Sequence, residues 1–137
     1  MVRVMGQDFL AKTHLKASPA LLGRPVLIED DSRAMVELVT TKDMVVDDEG
    51  LVHGGFTFGL ADYTAMLAVN HPYVVIGSAD VRFTAPARLG ETMKATATVE
   101  RRGGRHREVS VEVQVDGKQI FKGAMNCYIL DRHVLVR

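Results

Sequence analysis

The 137-residue chain has no tryptophan, a single cysteine and no excess charge of either sign. Its 17 lysines and arginines balance its 17 aspartates and glutamates, so no overall field attracts nucleic acid or an anionic membrane. Cys127 has no second cysteine with which to form an internal disulfide. Charged residues also interrupt the N-terminus before an apolar signal segment develops, namely Arg3, Asp8, Lys12 and Lys16. These absences predict a cytoplasmic protein that meets any charged ligand through a local patch.

Long apolar runs and metal-binding motifs are missing as well. The longest weakly polar stretch, residues 50–79, contains His53, Asp62 and several glycines, so the sequence predicts no membrane-spanning helix. The five histidines show neither H-x-x-x-H spacing nor a pairing with cysteine, which predicts no metal site.

The length of the chain is sufficient for one hydrophobic core. A chain of this size buries roughly two thirds of the surface that it exposes when unfolded. We therefore expect one domain over residues 1–137, in which residues 1–24 form an N-terminal extension. Within this extension, Asp8 is in a position to cap a short helix that ends near Ser18.

The apolar pattern of the first half of the chain predicts two strands and a long helix. Residues 25–29 and 33–39 are short apolar runs separated by a polar turn, which is typical of a strand–turn–strand unit. Residues 53–70 carry apolar side chains at helical spacing on one face, and their opposite side is also apolar. We therefore expect a helix of about four to five turns that is buried nearly all round.

The second half of the chain alternates between apolar and polar residues, which is typical of strands. Four such segments follow the helix, at residues 74–84, 92–101, 108–115 and 120–130. The turns between the last three contain Gly103-Gly104 and Asp116-Gly117, which are strong hairpin signals. The sequence therefore predicts an α+β protein in which a curved antiparallel sheet wraps around one long central helix.

Asp62 is the only formally charged residue between Glu49 and Asp80, and it lies within the predicted buried helix. No cation stands three or four residues from it to compensate its charge. Two outcomes are open. Either desolvation raises the pKa of Asp62 and makes it a general base, or another segment donates hydrogen bonds that hold it ionised. A buried aspartate with a purely structural role fits the second outcome.

The tripeptide His53-Gly54-Gly55 begins the same helix. Free backbone N–H groups at a helix N-terminus can polarise a carbonyl oxygen, and glycines let a ligand approach the backbone closely. Asp62 lies seven residues beyond Gly55, which is about 10 Å along a helix axis. If both act on one carbonyl carbon, Asp62 faces the helix N-terminus of a second copy, which predicts a homodimer with two equivalent sites.

Two segments carry a resemblance to a known family. HGGFTFGLADYTAMLAVN and the later VRFTAPARLGETMKATATV resemble the hotdog-fold acyl-CoA thioesterases of the phenylacetate-pathway type, over about residues 25–130. The shared motifs are H-G-G-x(4)-L-A-D and P-x-x-x-G-[DE]. The resemblance implies a hotdog fold, a homodimer or homotetramer, and hydrolysis of an acyl-CoA thioester. Coenzyme A is then part of the substrate, and no separate cofactor is implied.

The resemblance also implies a role for each residue of the motif. The Gly55 N–H would hold the thioester carbonyl, with Gly54 next to the substrate, and His53 would orient this turn. Asp62 from the partner subunit would activate water or attack directly. Many relatives carry Asn or Gln six residues before the histidine, whereas this chain has Asp47, whose carboxylate would repel a second negative charge.

Several arginines are candidates for the phosphates of coenzyme A, because guanidinium groups match phosphate oxygens. The basic hairpin around Gly103-Gly104 supplies Arg102 and Arg105, and Arg82 and Arg88 lie elsewhere on the chain. The alternative is a solvated turn, with Arg82 paired to Asp80. The basic patch is short and lacks an aromatic platform, so a nucleic-acid partner is not expected.

Two other functions fit the same fold. One is a non-catalytic protein that binds acyl-CoA as a sensor or carrier, which the departure at Asp47 favours. The other is a hydratase or dehydratase acting on an enoyl or hydroxyacyl thioester, but the D-x-N-P-x-H pattern of such enzymes is absent.

Overall fold

The computed structural model of the chain describes residues 2–4 and 7–136. It contains eight strands, two α-helices and a single 3₁₀ turn at Lys42–Met44. The strands are β1 (Val2–Val4), β2 (Gln7–Phe9), β3 (Arg24–Glu29), β4 (Arg33–Val39), β5 (Val74–Phe83), β6 (Thr92–Gly103), β7 (His106–Val115) and β8 (Lys118–Ile129). The helices are α1 (Pro19–Leu22) and α2 (Gly54–Val69).

Six of the strands form one antiparallel sheet in the order β3-β4-β6-β7-β8-β5, and β1 pairs with β2 separately. Alternation places every second residue of the central strands on the inner face. Met93, Ala95 and Ala97 of β6 are buried there, as are Val109, Val111 and Val113 of β7. The predicted strands and both hairpin turns are confirmed.

Helix α2 packs across this inner face and is buried along most of its length, which confirms the predicted α+β hotdog architecture. The helix begins after His53 and ends at Val69. The N–H of the next residue, Asn70, still donates to the Met66 carbonyl, and its left-handed conformation (φ 53°) then turns the chain out of the helix. Because the helix carries apolar side chains on every side, a sheet that curves around it buries more of them than a flat sheet against one face would.

The helix predicted from Asp8 to about Ser18 is wrong. Residues 7–9 form β2, and the following residues are irregular up to Pro19, where the short α1 begins. The cause lies elsewhere in the chain, because the side chain of Asn70 accepts from the Lys12 N–H at 2.8 Å and donates to the Leu10 carbonyl at 2.9 Å. These long-range bonds use backbone groups that a helix would need.

Strand β5 forms one edge of the sheet and lies very close to β8. A Cβ atom at Gly123 of β8 would stand 2.4 Å from the Asp80 carbonyl oxygen, so only glycine allows the two backbones to approach this closely. Phe83 at the end of β5 meets Phe121 edge to face, with 5.1 Å between ring centroids. This contact places an aromatic side chain beside the first turn of α2.

Candidate active site

The N-terminus of α2 is held in place by hydrogen bonds on both sides of His53. The His53 N–H donates to the Met44 carbonyl at 2.9 Å, and the His53 carbonyl accepts from the Phe56 N–H at 3.1 Å. The Gly55 N–H donates to Nδ1 of the exposed His53 ring at 2.7 Å. The neutral ring therefore carries its proton on Nε2, because an Nδ1 that accepts cannot also hold a proton.

The contact between His53 and Gly55 bears on the role that the resemblance implies. The Gly55 N–H already has an acceptor, so any other acceptor would have to replace the ring nitrogen of His53 or share the N–H with it. In the part of the chain that the structure describes, no group accepts a hydrogen bond from the Gly54 N–H. Two neighbouring amide donors therefore lie at the positive end of the helix dipole, one without an acceptor in the described chain and one bonded to the exposed His53 ring.

A cavity of about 460 Å³ lies beside this helix end. Gly54 forms part of its wall, together with Phe83, Leu51 and Pro86, and the hydroxyl-bearing Thr57 and Thr84. No charged side chain lines it among the described residues. The carbon Cε2 of the Phe83 ring would lie 3.3 Å from a Cβ at Gly54, so the ring covers the glycine closely. The cavity suits an uncharged, apolar group next to the amide donors.

Asp62 is half-buried on α2, two turns beyond Gly55, and its Oδ1 has no hydrogen-bond partner within the described residues. Burial raises the pKa of this carboxyl above its ordinary value. Of the two outcomes left open by the sequence, the raised pKa agrees with the first, in which burial desolvates the carboxyl. Burial and the nearby charge of Asp62 also raise the pKa of Cys127 to about 12, so this fully buried thiol stays neutral.

The buried carboxyl gives a stability prediction. Because the pKa of Asp62 is raised in the folded chain, the folded chain binds the proton more tightly than the unfolded chain does. The free energy of unfolding therefore falls as the pH rises from the ordinary pKa of 3.8 through the raised pKa of the folded chain. Asp62→Asn removes this penalty, and we expect it to unfold at higher urea concentration than the native chain at pH 7. The difference should vanish near pH 4.

The matched control is Asp48→Asn, which replaces an exposed carboxylate in the loop before α2. Urea midpoints of the three proteins, measured between about pH 4 and about pH 8, test the prediction. A native chain that equals or exceeds Asp62→Asn in stability at pH 7 would show that Asp62 is satisfied in the folded protein.

Asp62 and Gly55 do not meet within one chain. They lie on one continuous helix, seven residues apart, which corresponds to about 10 Å along its axis. Within one chain, the amide donors at the helix N-terminus and the Asp62 carboxyl therefore do not reach the same atom of a ligand.

The arginines predicted to meet phosphate are mostly held by carboxylates. Arg102 and Arg107 both contact Asp31, at 3.2 and 2.9 Å, and Arg105 pairs with Asp131 at 2.5 Å. Arg82 lies 3.4 Å from Asp80, as the alternative interpretation expected. Arg88 alone of the four candidates has no ion pair among the described residues. These pairs reduce the charge that the hairpin offers to a ligand.

Asp47 has a local structural role. Its carboxylate accepts hydrogen bonds from the N–H groups of Glu49 and Leu51, at 3.0 and 3.1 Å, and so closes the loop that leads to His53. Only the loop-forming run of acidic residues and glycine indicated such a role from the sequence. The proximity of Cys127 to Asp62 could not be predicted, since it depends on how α2 crosses β8.

The fold and this helix-end site define a class of protein. A protein-family model with the description "Thioesterase superfamily" matches residues 49–121. These residues include the whole of α2 and the strands β5 to β7. The chain therefore belongs to the thioesterase superfamily.

Curated relatives that match most of this chain carry different names. A methylthioribose-1-phosphate isomerase of Aquifex aeolicus is 42% identical over 112 residues, which is 82% of this chain but only 24% of that protein. This chain thus spans about a quarter of that relative's length. The transcription factor FapR of a Thermoanaerobacter species is 23% identical over 98% of this chain and 67% of its own length.

Solved structures superpose closely. The uncharacterized protein PH1136 from Pyrococcus horikoshii is 47% identical, with a TM-score of 0.91 over 93% of this chain and 97% of that one. The PaaI protein from the phenylacetic acid degradation operon of E. coli shares the fold at 22% identity (TM-score 0.78, 88% of each chain). So does a hypothetical thioesterase with coenzyme A from Streptococcus pneumoniae at 14% identity (TM-score 0.71, 80% and 87% coverage).

No helix in the described ranges is both long enough and apolar enough to span a bilayer.

Proposed function

We propose that this chain hydrolyses acyl-CoA thioesters as a homodimer in which each active site combines residues of two subunits. The observation that carries the proposal is the half-buried Asp62, whose Oδ1 has no partner in the described chain and whose pKa is raised by burial. Such a carboxyl is suited to accept a proton. It lies too far from the amide donors of its own helix, and an antiparallel second helix brings the two groups together.

The chemistry follows from these two groups. The thioester carbonyl oxygen accepts a hydrogen bond from the Gly55 N–H once the His53 ring has moved, and the adjacent helix end stabilises the negative charge that develops on it. Asp62 of the partner subunit takes a proton from water as the water oxygen attacks the carbonyl carbon. The C–S bond then breaks, the proton passes to the departing sulfur of coenzyme A, and a carboxylic acid is left.

Direct attack by the carboxylate is the second form of the same reaction. The carboxylate of Asp62 of the partner subunit then forms an anhydride with the acyl group as the C–S bond breaks and coenzyme A leaves as the thiolate. Water hydrolyses the anhydride in a separate step, which frees the Asp62 carboxylate and the carboxylic acid and supplies the proton that the thiolate takes up. Both forms consume one thioester and one water and need no further cofactor.

The cavity beside Gly54 has no charged side chain in its described lining, which favours an acyl group without a charge at its far end. An unpaired carboxylate placed in that cavity would lose its hydration. The neighbour named as a thioesterase with coenzyme A supports coenzyme A as the carrier of the acyl group.

The experiment is thiol release from a panel of acyl-CoAs: acetyl, medium-chain, long-chain, phenylacetyl, hydroxyphenylacetyl and, as the charged comparison, malonyl. We expect turnover of at least one uncharged member and little turnover of the malonyl thioester. Absence of thiol release from every member would contradict the proposal.

A second candidate function is a non-catalytic domain that binds acyl-CoA as a sensor or carrier. Two observations favour it: the Gly55 N–H is covered by the His53 ring, and the match to a transcription factor extends over 98% of this chain. Equilibrium binding of acyl-CoA without thiol release would identify this function.

A further inference from the structure

A groove of about 680 Å³ lies on the side of α2 that faces the N-terminal segment. Four parts of the chain form it, namely residues 12–17, Leu22, residues 72–75 at the start of β5, and residues 133–134. We call it the N-terminal groove. Four of its side chains are basic or imidazole groups: Lys12, His14, Lys16 and His133. Among the residues that the structure describes, no carboxylate side chain lines it.

The wall of the N-terminal groove is tied to the body of the protein. Asn70 at the end of α2 bonds to the backbone of Leu10 and Lys12, and the adjacent Thr13 is buried. His14 adopts a left-handed backbone conformation (φ 56°), and its carbonyl accepts from the Ala17 N–H at 3.0 Å. A backbone held in this strained conformation fixes where the His14 and Lys16 side chains leave the chain.

Two side chains of the groove, His133 and Lys16, can donate hydrogen bonds to a ligand. Nδ1 of His133 accepts from the Leu135 N–H at 3.0 Å, so the neutral ring keeps a proton on Nε2 to donate. Lys12 pairs with Asp30, whereas Lys16 makes no ion pair with any described residue, which leaves its charge available. Since most hairpin arginines are paired, this groove is the better place for an anion.

The remainder of the groove is apolar and aromatic. Leu22 and Val74 belong to its lining, with Tyr73, whose side chain is partly exposed. A free phosphate would leave most of this volume empty. A ligand that combines phosphates with a flat ring fits the lining better, because the ring can pack on apolar and aromatic groups while the phosphates meet the donors.

The groove lies next to the face of α2 that carries Asp62. Leu22 would stand 3.2 Å from a Cβ at Gly59, and the His14 ring lies 6.2 Å from the Tyr63 ring, centroid to centroid. Residues 59, 62 and 63 are three and four positions apart and so share one face of the helix. The groove therefore flanks the face from which the carboxyl projects.

We propose that the N-terminal groove binds the nucleotide end of coenzyme A, the adenosine with its phosphates, with Lys16 as the main charged contact. This inference rests on the proposed acyl-CoA substrate and adds the site that holds its carrier. The four basic or imidazole groups all lie outside residues 49–121, the part that the superfamily model matches. The charged and imidazole groups of the groove thus come from outside the matched region, whereas residues 72–75 of its wall lie within it.

Calorimetric titration of the full chain tests the assignment without requiring turnover. The probes are coenzyme A, adenosine 3′,5′-bisphosphate and inorganic phosphate, each added to the native chain, to Lys16→Glu and to Lys118→Glu. Lys118 is an exposed lysine at the start of β8, outside the groove, and serves as the matched control. We expect Lys16→Glu to weaken binding of the bisphosphate and of coenzyme A by about tenfold or more, and Lys118→Glu to change it less than about twofold.

Three results would overturn the proposal. If Lys16→Glu and Lys118→Glu weaken binding equally, binding depends only on the net charge of the protein. Binding of coenzyme A without binding of the bisphosphate would place the nucleotide elsewhere. Inorganic phosphate that binds as tightly as the bisphosphate would identify a simple anion site. If nucleotide binding depends on Lys16 while no acyl-CoA is hydrolysed, the groove is supported and hydrolysis alone is rejected.

Discussion

Replacing Asp62 by asparagine is expected to abolish thioester hydrolysis while the fold stays intact. The amide has nearly the shape of the carboxyl but cannot take a proton from water or form an anhydride, so kcat should fall by about a thousandfold or more. Because the native Oδ1 has no partner in the described chain, the substitution breaks no hydrogen bond seen there. Thiol release from the best substrate of the panel measures the loss.

Asp48→Asn is the control for this loss as well, since it removes a carboxylate from the exposed loop before α2 and should retain native kcat. A cooperative thermal transition at least as high as that of the native chain and an unchanged elution volume in size-exclusion chromatography establish that both variants fold and associate. Native turnover by a folded Asp62→Asn protein would remove Asp62 from the mechanism.

Replacing Gly55 by proline should cost about a hundredfold to a thousandfold in kcat, because it deletes the amide donor assigned to the thioester carbonyl. Proline is tolerated in the first turn of a helix, and the preceding Gly54 has no Cβ for the proline ring to strike. Single-turnover measurements at saturating acyl-CoA separate this loss from weaker binding.

Gly55→Ala is the matched comparison because it keeps the N–H. Its Cβ would stand 2.8 Å from Nδ1 of His53, so the imidazole must move away. We expect a loss of less than about tenfold if the ring only orients the turn. A proline variant as impaired as the alanine variant would assign the loss to the displaced ring rather than to the missing donor.

Mixing the two inactive variants tests whether the site is shared. A dimer of one Asp62→Asn chain and one Gly55→Pro chain has one site in which both groups are native and one in which both are changed. Random exchange should therefore restore about a quarter of native activity. No recovery after exchange would show that each chain works alone.

The sequence was informative where the signal is local. The alternation in β6 and β7, the glycine turns and the apolar α2 each depend on a few neighbouring residues, and the predicted elements are confirmed. The segment before α1 was predicted wrongly because its backbone bonds to Asn70, about sixty positions away. Local propensity contains no information about such a partner.

The candidate site could likewise be predicted only in part from the sequence. The isolation of Asp62 in a long uncharged stretch indicated a buried carboxyl, and the raised pKa agrees with it. The ring of His53 on the Gly55 N–H depends on one side-chain rotamer, and the capture of two arginines by Asp31 joins residues some seventy positions apart. Composition and spacing cannot reveal either contact.

The strand order has a consequence for how the chain folds. Strands β6, β7 and β8 follow one another through tight turns, so this meander can form from contacts close in sequence. Strand β4 reaches its partner β6 only after the whole segment containing α2 and β5 has been looped out, and closing so long a loop is entropically unfavourable. A helix without a polar face gains little by forming alone in water. Docking of α2 onto the meander is therefore the event that brings the two halves of the sheet together.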